Sequence, residues 1–362
     1  MRKHLEPGRF FLPGPTEVHP DVLSAQTGEM IGHRGRAIQE LMSSLAGGLG
    51  VVFQTSRPVV VSTSSATGLM EAAIRNGVGG GKVLSLVNGA FSARFADIAR
   101  ACGKDVQVWE VPWGEVHSTD ELEDRLSEGD FQAVTVTHSE TSTGALQDLE
   151  AIAGVVGSHS DTLLLVDSVT GIAGVETFPD AWGIDFILTG SQKALALPPG
   201  LAFGVASEAM MDRAHTIDDR GWYFDLERLL SNLERDQTPA TPAVSLLYAL
   251  EVQLGRILAE GMEARWKRHR AMQERLVGWA ADMSGLGVET NLLAGEGHRS
   301  PTVSCLIVAE PTSVVAGMSE RGWVIGGGYG KLRDTTVRIG HMGDHTVEEL
   351  DLLLDVLGDV IG

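Results

Sequence analysis

Between Val59 and Ser207 the chain alternates short apolar runs with stretches of helical periodicity, and this alternation constrains the fold more than any other feature. The runs are "VVVS" from Val59, "KVLSLV" from Lys82, "VQVWEV" from Val106, "AVTVTHS" from Ala133, "TLLLVDS" from Thr162, "DFILTGS" from Asp185 and "AFGVAS" from Ala202. Several are apolar at consecutive positions, not at every second one. A strand reads that way when both of its faces are buried. Buried strands separated by helices of ~10–15 residues point to an α/β domain on a mostly parallel sheet.

The pattern changes after that domain. A helical region runs from Ala243 to Met283, interrupted near Glu260 and Gly261. Beyond it, "PTVSCLIV", "SVVAGMSERG", "WVIGGG", "TTVRIGHM" and a terminal helix from Thr346 read as a smaller α+β unit. The expected division is a large α/β domain over 1–255, with an N-terminal arm, and a small α+β domain over 256–362, with no flexible linker. There is no internal repeat. The net charge of −20, from 28 Lys and Arg against 48 Asp and Glu, argues against nucleic acid or an anionic membrane as partner. No run of about 18 apolar residues predicts a transmembrane helix, and the first residues lack a signal-peptide core. Cys102 and Cys305 lie far apart with no CxxC pair, which predicts neither a metal site nor a disulfide framework and fits a reducing, cytoplasmic compartment.

In open α/β sheets, ligands bind beyond the carboxyl ends of the strands. After the first run, Ser64, Ser65, Ala66, Thr67 and Gly68 open a helix. Unpaired N–H groups and hydroxyls there would suit a phosphate, although plain helix capping reads the same. After the second, Phe91 is placed to lie against a planar ring, or simply to pack in the core. After the fourth, Ser142 and Thr143 offer hydroxyls in a turn, or cap the next helix. After the fifth comes Asp167, a carboxylate at a buried strand end that needs a partner, either a helix N-terminus or a protonated ligand nitrogen. After the sixth, "TGSQKALALPPG" carries Lys193, one of six lysines in the chain. It is either a solvated loop lysine or a desolvated amine poised to form a Schiff base.

Each signal has a bland reading, but their order at successive strand ends does not. A phosphate cradle, a ring stacker, an acid for a pyridine nitrogen and a Schiff-base lysine together describe pyridoxal 5′-phosphate. Arg338, in "TVRIGHMG", supplies a guanidinium that matches the α-carboxylate of an amino acid, although a surface strand arginine would look alike. A nicotinamide dehydrogenase would need GxGxxG directly after the first strand, where the chain has "STSSATG".

The stretches "FFLPGPTEV", "HSETSTGALQDL", "LLLVDSVTGIAG", "DFILTGSQKALALPPG", "QTPATPAVSLLYAL" and "VRIGHMG" carry a resemblance across nearly the whole chain. The chain resembles the class V pyridoxal-phosphate aminotransferases, most of all the alanine–glyoxylate and serine–pyruvate (serine–glyoxylate) enzymes. The resemblance implies a fold-type I homodimer, with a seven-stranded large-domain sheet and active sites shared between subunits. It implies Lys193 as the Schiff-base lysine, Asp167 on the pyridine nitrogen, Phe91 stacked on the ring and Val169 on its opposite face. Ser65, Ala66, Thr67 and Gln192 would bind the phosphate, completed by Thr241 of the partner subunit. Ser142 would contact the hydroxyl side of the ring, and Arg338 the substrate carboxylate, with Gly14 and Pro15 close by.

Some relatives have a tyrosine where this chain has Thr238, three residues before Thr241, and the phosphate site is expected to differ there. The segment "GHRGRAIQE" (32–40) follows a bacterial or archaeal pattern and is expected to shape the substrate mouth. The implied reaction moves an amino group from a small donor, alanine or serine, to glyoxylate or pyruvate. The donor is expected to be small because no second cation is evident in the sequence. The alternatives are ureidoglycine–glyoxylate and 2-aminoethylphosphonate transamination, the second calling on Arg34 or Arg36. A sulfur-abstracting enzyme would need a loop cysteine, and Cys102 and Cys305 fall at a helix end and inside a strand. A non-catalytic binder could dispense with Lys193 or Asp167, and both are present.

Overall fold

The computed structural model describes residues 6–362. Each of the seven apolar runs forms one strand of a single sheet: β1 Val59–Ser62, β2 Lys82–Val87, β3 Asp105–Glu110, β4 Phe131–Thr137, β5 Leu163–Asp167, β6 Phe186–Gly190 and β7 Ala202–Ala206. Their order across the sheet is β1-β7-β6-β5-β4-β2-β3. All neighbours are parallel except β7, which runs antiparallel to both β6 and β1.

The consecutive apolar residues are explained by what each face meets. Leu163 and Leu165 of β5 pack with Leu69, Ile74 and Phe95 on one side of the sheet. Leu164 and Val166 pack with Leu45, Leu149 and Leu247 on the other. Successive side chains point to opposite faces, so a strand covered on both sides must be apolar throughout. Each such side chain contributes about 1.5–3 kcal/mol on burial. The edge strand β3 alternates over its first four residues, with Asp105 and Gln107 exposed and Val106 and Val108 half-buried, before Trp109 is buried and Glu110 exposed.

A second sheet has the order Phe10–Phe11, Val324–Gly327, Thr336–Ile339, Ser304–Ile307, Asn291–Leu292. Helices Met262–Gly285, Pro311–Glu320 and Val347–Ile361 cover it, with Leu276, Met318, Ile325, Leu350 and Leu354 in its core. The N-terminal strand pairs in parallel with Val324 and Ile325, which puts the arm on the edge of this small sheet. The helix Val244–Glu260 runs across residue 255 and stops at Gly261, whose φ of +81° breaks it from the next helix.

A buried ion cluster ties these units together. The Arg265 side chain is 1% exposed and donates to Glu260 Oε2 at 2.7 Å, to Asp344 Oδ1 at 3.2 Å and to the Ala194 carbonyl at 2.7 Å. Burial alone would raise the Asp344 carboxyl, but Arg265, Gln253 and Arg256 outweigh it and hold that group below its ordinary value. Ala194 follows Lys193, so one guanidinium joins the loop at Asp344 to the loop that presents the lysine. Arg265→Ala strands two carboxylates that keep only Arg268 and Arg256 as cations. The expected loss is about 3 kcal/mol, the low end for breaking a buried pair, read as a fall in the urea midpoint. A loss under about 1 kcal/mol would remove the structural role of this cluster.

Candidate active site

The carboxyl ends of β1, β2, β4, β5 and β6 deliver their following residues to one edge of the large sheet. Lys193, three residues past β6, is buried. Its Nζ donates to the Pro13 carbonyl at 2.5 Å and lies 5.9 Å from the centre of the Phe91 ring. Gly14 has φ +102°, a conformation that favours glycine, and a side chain there would displace the end of Lys193. The Gly14–Pro15 peptide bond is cis. Burial, and then the Arg338 charge, push the Lys193 amine down to about 8, against a smaller opposing pull from Asp167. At pH 7.5 such an amine is roughly one-quarter neutral, against roughly one part in a thousand for an ordinary lysine.

Asp167 ends β5 and is buried. It accepts the Val169 N–H at 2.9 Å and the Thr137 hydroxyl at 3.4 Å. Among the described residues it has no cation within ion-pair distance. Burial pushes its carboxyl up to about 7, with Glu140 adding to the rise and Lys193 opposing it. A carboxylate held that way lacks a positively charged neighbour, and a protonated pyridine nitrogen would supply one. The Val169 carbonyl is fixed in turn by the Thr189 hydroxyl at 3.1 Å.

Two helix N-termini face this edge, and only one is open. The helix Ala90–Ala101 starts beside Phe91, and its first N–H groups are taken by Glu140. That fully buried carboxylate accepts from Phe91 N at 3.1 Å, Ser92 N at 2.9 Å and the Ser142 hydroxyl at 2.6 Å. The Ser142 hydroxyl thus spends its one proton on Glu140 while accepting from Ala90 N at 3.0 Å. The helix Ala66–Gly77 is different. Its N-cap Ser65 makes no side-chain capping bond. The N–H groups of Ala66 and Thr67, and the Gln192 amide, have no protein acceptor among the described residues. This is an anion seat with its donors free, at the end of β1, and it fits a phosphate. Open cradle, partner-seeking carboxylate, ring and desolvated lysine together fit pyridoxal 5′-phosphate.

Arg338, in Thr336–Ile339, reaches the same edge from the small sheet. Its Nε donates to the Gly327 carbonyl at 2.9 Å and its NH1 to the Thr141 carbonyl at 3.4 Å. Among the described residues no carboxylate pairs with it, so the guanidinium keeps donors for an acid. Burial lowers its pKa, but a guanidinium stays charged at any working pH.

Thr241 is exposed and shares a small cavity with Ser62 and Thr63 of its own chain. Thr238 is buried, its hydroxyl donating to the Ala240 carbonyl at 2.7 Å. The cations considered for a phosphonate are both engaged. Arg34 donates to the carbonyls of Thr238 and Pro239 at 2.6 and 2.9 Å, and Arg36 pairs with Glu40 at 2.6 Å. Sequence reasoning passed over Glu140, Thr137, Pro13 and Arg94. Of these only Glu140 left a trace, as an acid two residues before Ser142 at the end of an apolar run.

A model of the aminotransferase class-V family matches residues 22–307. An uncharacterised aminotransferase of Methanocaldococcus jannaschii is 38% identical over 342 residues, covering 92% of this chain and 87% of its own length. The small subunit of a soluble hydrogenase of Synechococcus is 34% identical, covering 92% and 88%. Alanine–glyoxylate aminotransferase 1 of Saccharomyces cerevisiae is 32% identical, covering 92% and 91%. Among solved structures, an alanine–glyoxylate aminotransferase from Nostoc superposes with a TM-score of 0.92 at 32% identity, covering 100% and 97%. The ureidoglycine–glyoxylate aminotransferase of Bacillus subtilis gives 0.89 at 29%, covering 99% and 94%.

Proposed function

The chain belongs to the class V aminotransferase family, and from that premise we infer that it transfers the amino group of a small amino acid, alanine or serine, to a 2-oxo acid such as glyoxylate or pyruvate. The observation that carries this reading is the pair of Lys193 and Asp167, both buried at adjacent strand ends and both displaced from their ordinary pKa values toward neutral pH. When bound, pyridoxal 5′-phosphate supplies a carbonyl that takes up the amino group and a pyridinium that draws electrons from the α-carbon.

The residues of this chain do the rest. Ser65, Ala66, Thr67 and Gln192 hold the phosphate. Asp167 keeps the pyridine nitrogen protonated, and Phe91 and Val169 confine the ring. Arg338 takes the substrate α-carboxylate and so orients the α-carbon. Lys193 would take the α-proton as base and then, as acid, give it to the carbon on the far side of the amino nitrogen, two bonds along. Its depressed pKa keeps it competent for both tasks near neutral pH.

The resemblance further supports a homodimer in which Thr241 reaches the phosphate of the partner subunit. Among the described residues no helix is long and apolar enough to cross a membrane, and the reading places the enzyme in the cytoplasm. The Bacillus subtilis neighbour favours ureidoglycine as the second candidate donor.

The test is the visible spectrum of the protein with pyridoxal 5′-phosphate, during additions of single amino acids. A yellow band bleached by L-alanine or L-serine and restored by glyoxylate is expected, from a species twice the 38.5 kDa chain mass. A band that only ureidoglycine bleaches would move the donor to that substrate. Absence of any band would overturn the reading, and a monomer with full activity would remove the shared site.

A further inference from the structure

Glu140 is fully buried, and among the described residues no cation lies within ion-pair distance of its carboxylate. Its backbone is pinned by a two-stranded ribbon, Ser139–Glu140 against Ala145–Leu146, that follows β4. Its two side-chain oxygens serve different segments. Oε1 accepts the Ser142 N–H at 3.1 Å and the Ser142 hydroxyl at 2.6 Å, within its own turn. Oε2 accepts the N–H groups of Phe91 and Ser92 at 3.1 and 2.9 Å, at the start of a helix 48 or 49 positions earlier in the chain. One carboxylate thus bolts that helix to the turn after β4.

A helix start needs acceptors for its first N–H groups, and a serine or aspartate at the N-cap normally supplies one. Here the N-cap is Gly89, which has no side chain to offer. Its φ of 178° is ordinary extended backbone, so conformation does not explain the glycine. Close approach does, because a methyl group at this position would overlap the Glu140 side chain. Burying a carboxylate without a cation is costly, and the helix dipole with four hydrogen bonds offsets it. A local cap would satisfy the same N–H groups without that burial. What the distant cap adds is location. It fixes the backbone of Phe91 relative to the sheet edge, where the Phe91 ring lies 5.9 Å from the Lys193 amine and 5.4 Å from the Tyr329 ring.

Resting on the reading above, in which Phe91 confines the cofactor ring, we propose that Glu140 is a positioning residue that holds Phe91 in place against that ring by clamping the start of its helix to the turn after β4.

Cofactor affinity carries the test, from titration of the cofactor-free protein with pyridoxal 5′-phosphate followed by protein fluorescence. Glu140→Gln keeps the side chain's size but sets an amide N–H₂ against N–H groups that need an acceptor. Gly89→Ala keeps the carboxylate and pushes it aside. Each weakens cofactor binding by about tenfold, the scale of one aromatic contact. Each also diminishes the circular dichroism of the bound cofactor's visible band, which reports how the ring is held. Phe91→Ala weakens binding by a similar factor. Because Glu140 acts through Phe91, the losses do not multiply, and the Glu140→Gln/Phe91→Ala double variant binds within about twofold of Phe91→Ala alone. A cap that serves stability only would lower the urea midpoint and leave affinity and dichroism unmoved. Unchanged affinity in both Glu140→Gln and Gly89→Ala, or losses that multiply in the double variant, overturns the proposal. A protein that binds pyridoxal 5′-phosphate equally well with and without Phe91 defeats this inference while the transaminase reading stands. A protein that binds none of it overturns both.

Discussion

Lys193→Ala loses turnover by at least about 10⁴-fold, while the protein still takes up pyridoxal 5′-phosphate non-covalently. The size follows from two roles lost together. General acid–base transfer alone is worth about 10²–10⁴, and the covalent hold on the cofactor goes with it. The phosphate seat at the head of Ala66–Gly77 does not involve this side chain, so cofactor binding weakens but survives. A small primary amine such as methylamine, added to the variant, restores part of the rate by carrying the proton in place of Nζ. In the unaltered protein the rate of covalent capture of the cofactor rises with pH and levels off above about 8, because the neutral amine is the reactive form and its pKa is depressed to that value. A capture rate still climbing tenfold per unit beyond pH 9 would belong to an ordinary solvated lysine. Undiminished turnover in Lys193→Ala would remove this residue from the chemistry.

The large sheet was legible because its strands are buried on both faces, and burial on both faces leaves a one-dimensional trace. Leu163–Val166 reads as a central strand without knowledge of its neighbours. Asp167 and Lys193 were legible for a related reason, since a carboxylate and an amine directly after such runs stand out against apolar surroundings. The strand Phe10–Phe11 left no such trace. Two residues carry no periodicity, and its pairing with Val324 and Ile325 depends on a partner more than 300 positions away. Arg94 was hidden in the same way. On its helix it reads as one more cation near Asp97 and Arg100, and only the fold brings Tyr329 and Arg338 to it. Ser142 illustrates the converse. That it offers a hydroxyl in a turn was readable from the sequence, but not that Glu140 would claim its proton.

Asp167→Asn separates function from stability, because its two effects have opposite signs. In the cofactor-free protein Asp167 is buried without a cation partner, and its carboxyl is raised to about 7 from 3.8. A group whose folded pKa lies above its unfolded value favours the fold below the unfolded pKa, and that contribution is lost as pH rises through the folded pKa. Asp167 therefore costs nothing near pH 3 and destabilises progressively up to pH 7. Three units correspond to about 4 kcal/mol, of which the amide's own burial returns a part. The asparagine variant, without cofactor, is expected to exceed the parent by about 2–4 kcal/mol at pH 8 and to match it near pH 3, as read by urea unfolding at the two pH values. Removing the carboxylate also takes away its attraction for the Lys193 amine, so the pH at which covalent capture levels off moves down. With cofactor bound the order reverses. The parent gains the pairing of Asp167 with the pyridine nitrogen and the variant does not, so turnover falls and the stabilisation conferred by pyridoxal 5′-phosphate shrinks. Equal stability of the two cofactor-free proteins at pH 8 would mean that Asp167 is satisfied by Val169 and Thr137 alone, and is a structural carboxylate with no vacancy for a ligand cation.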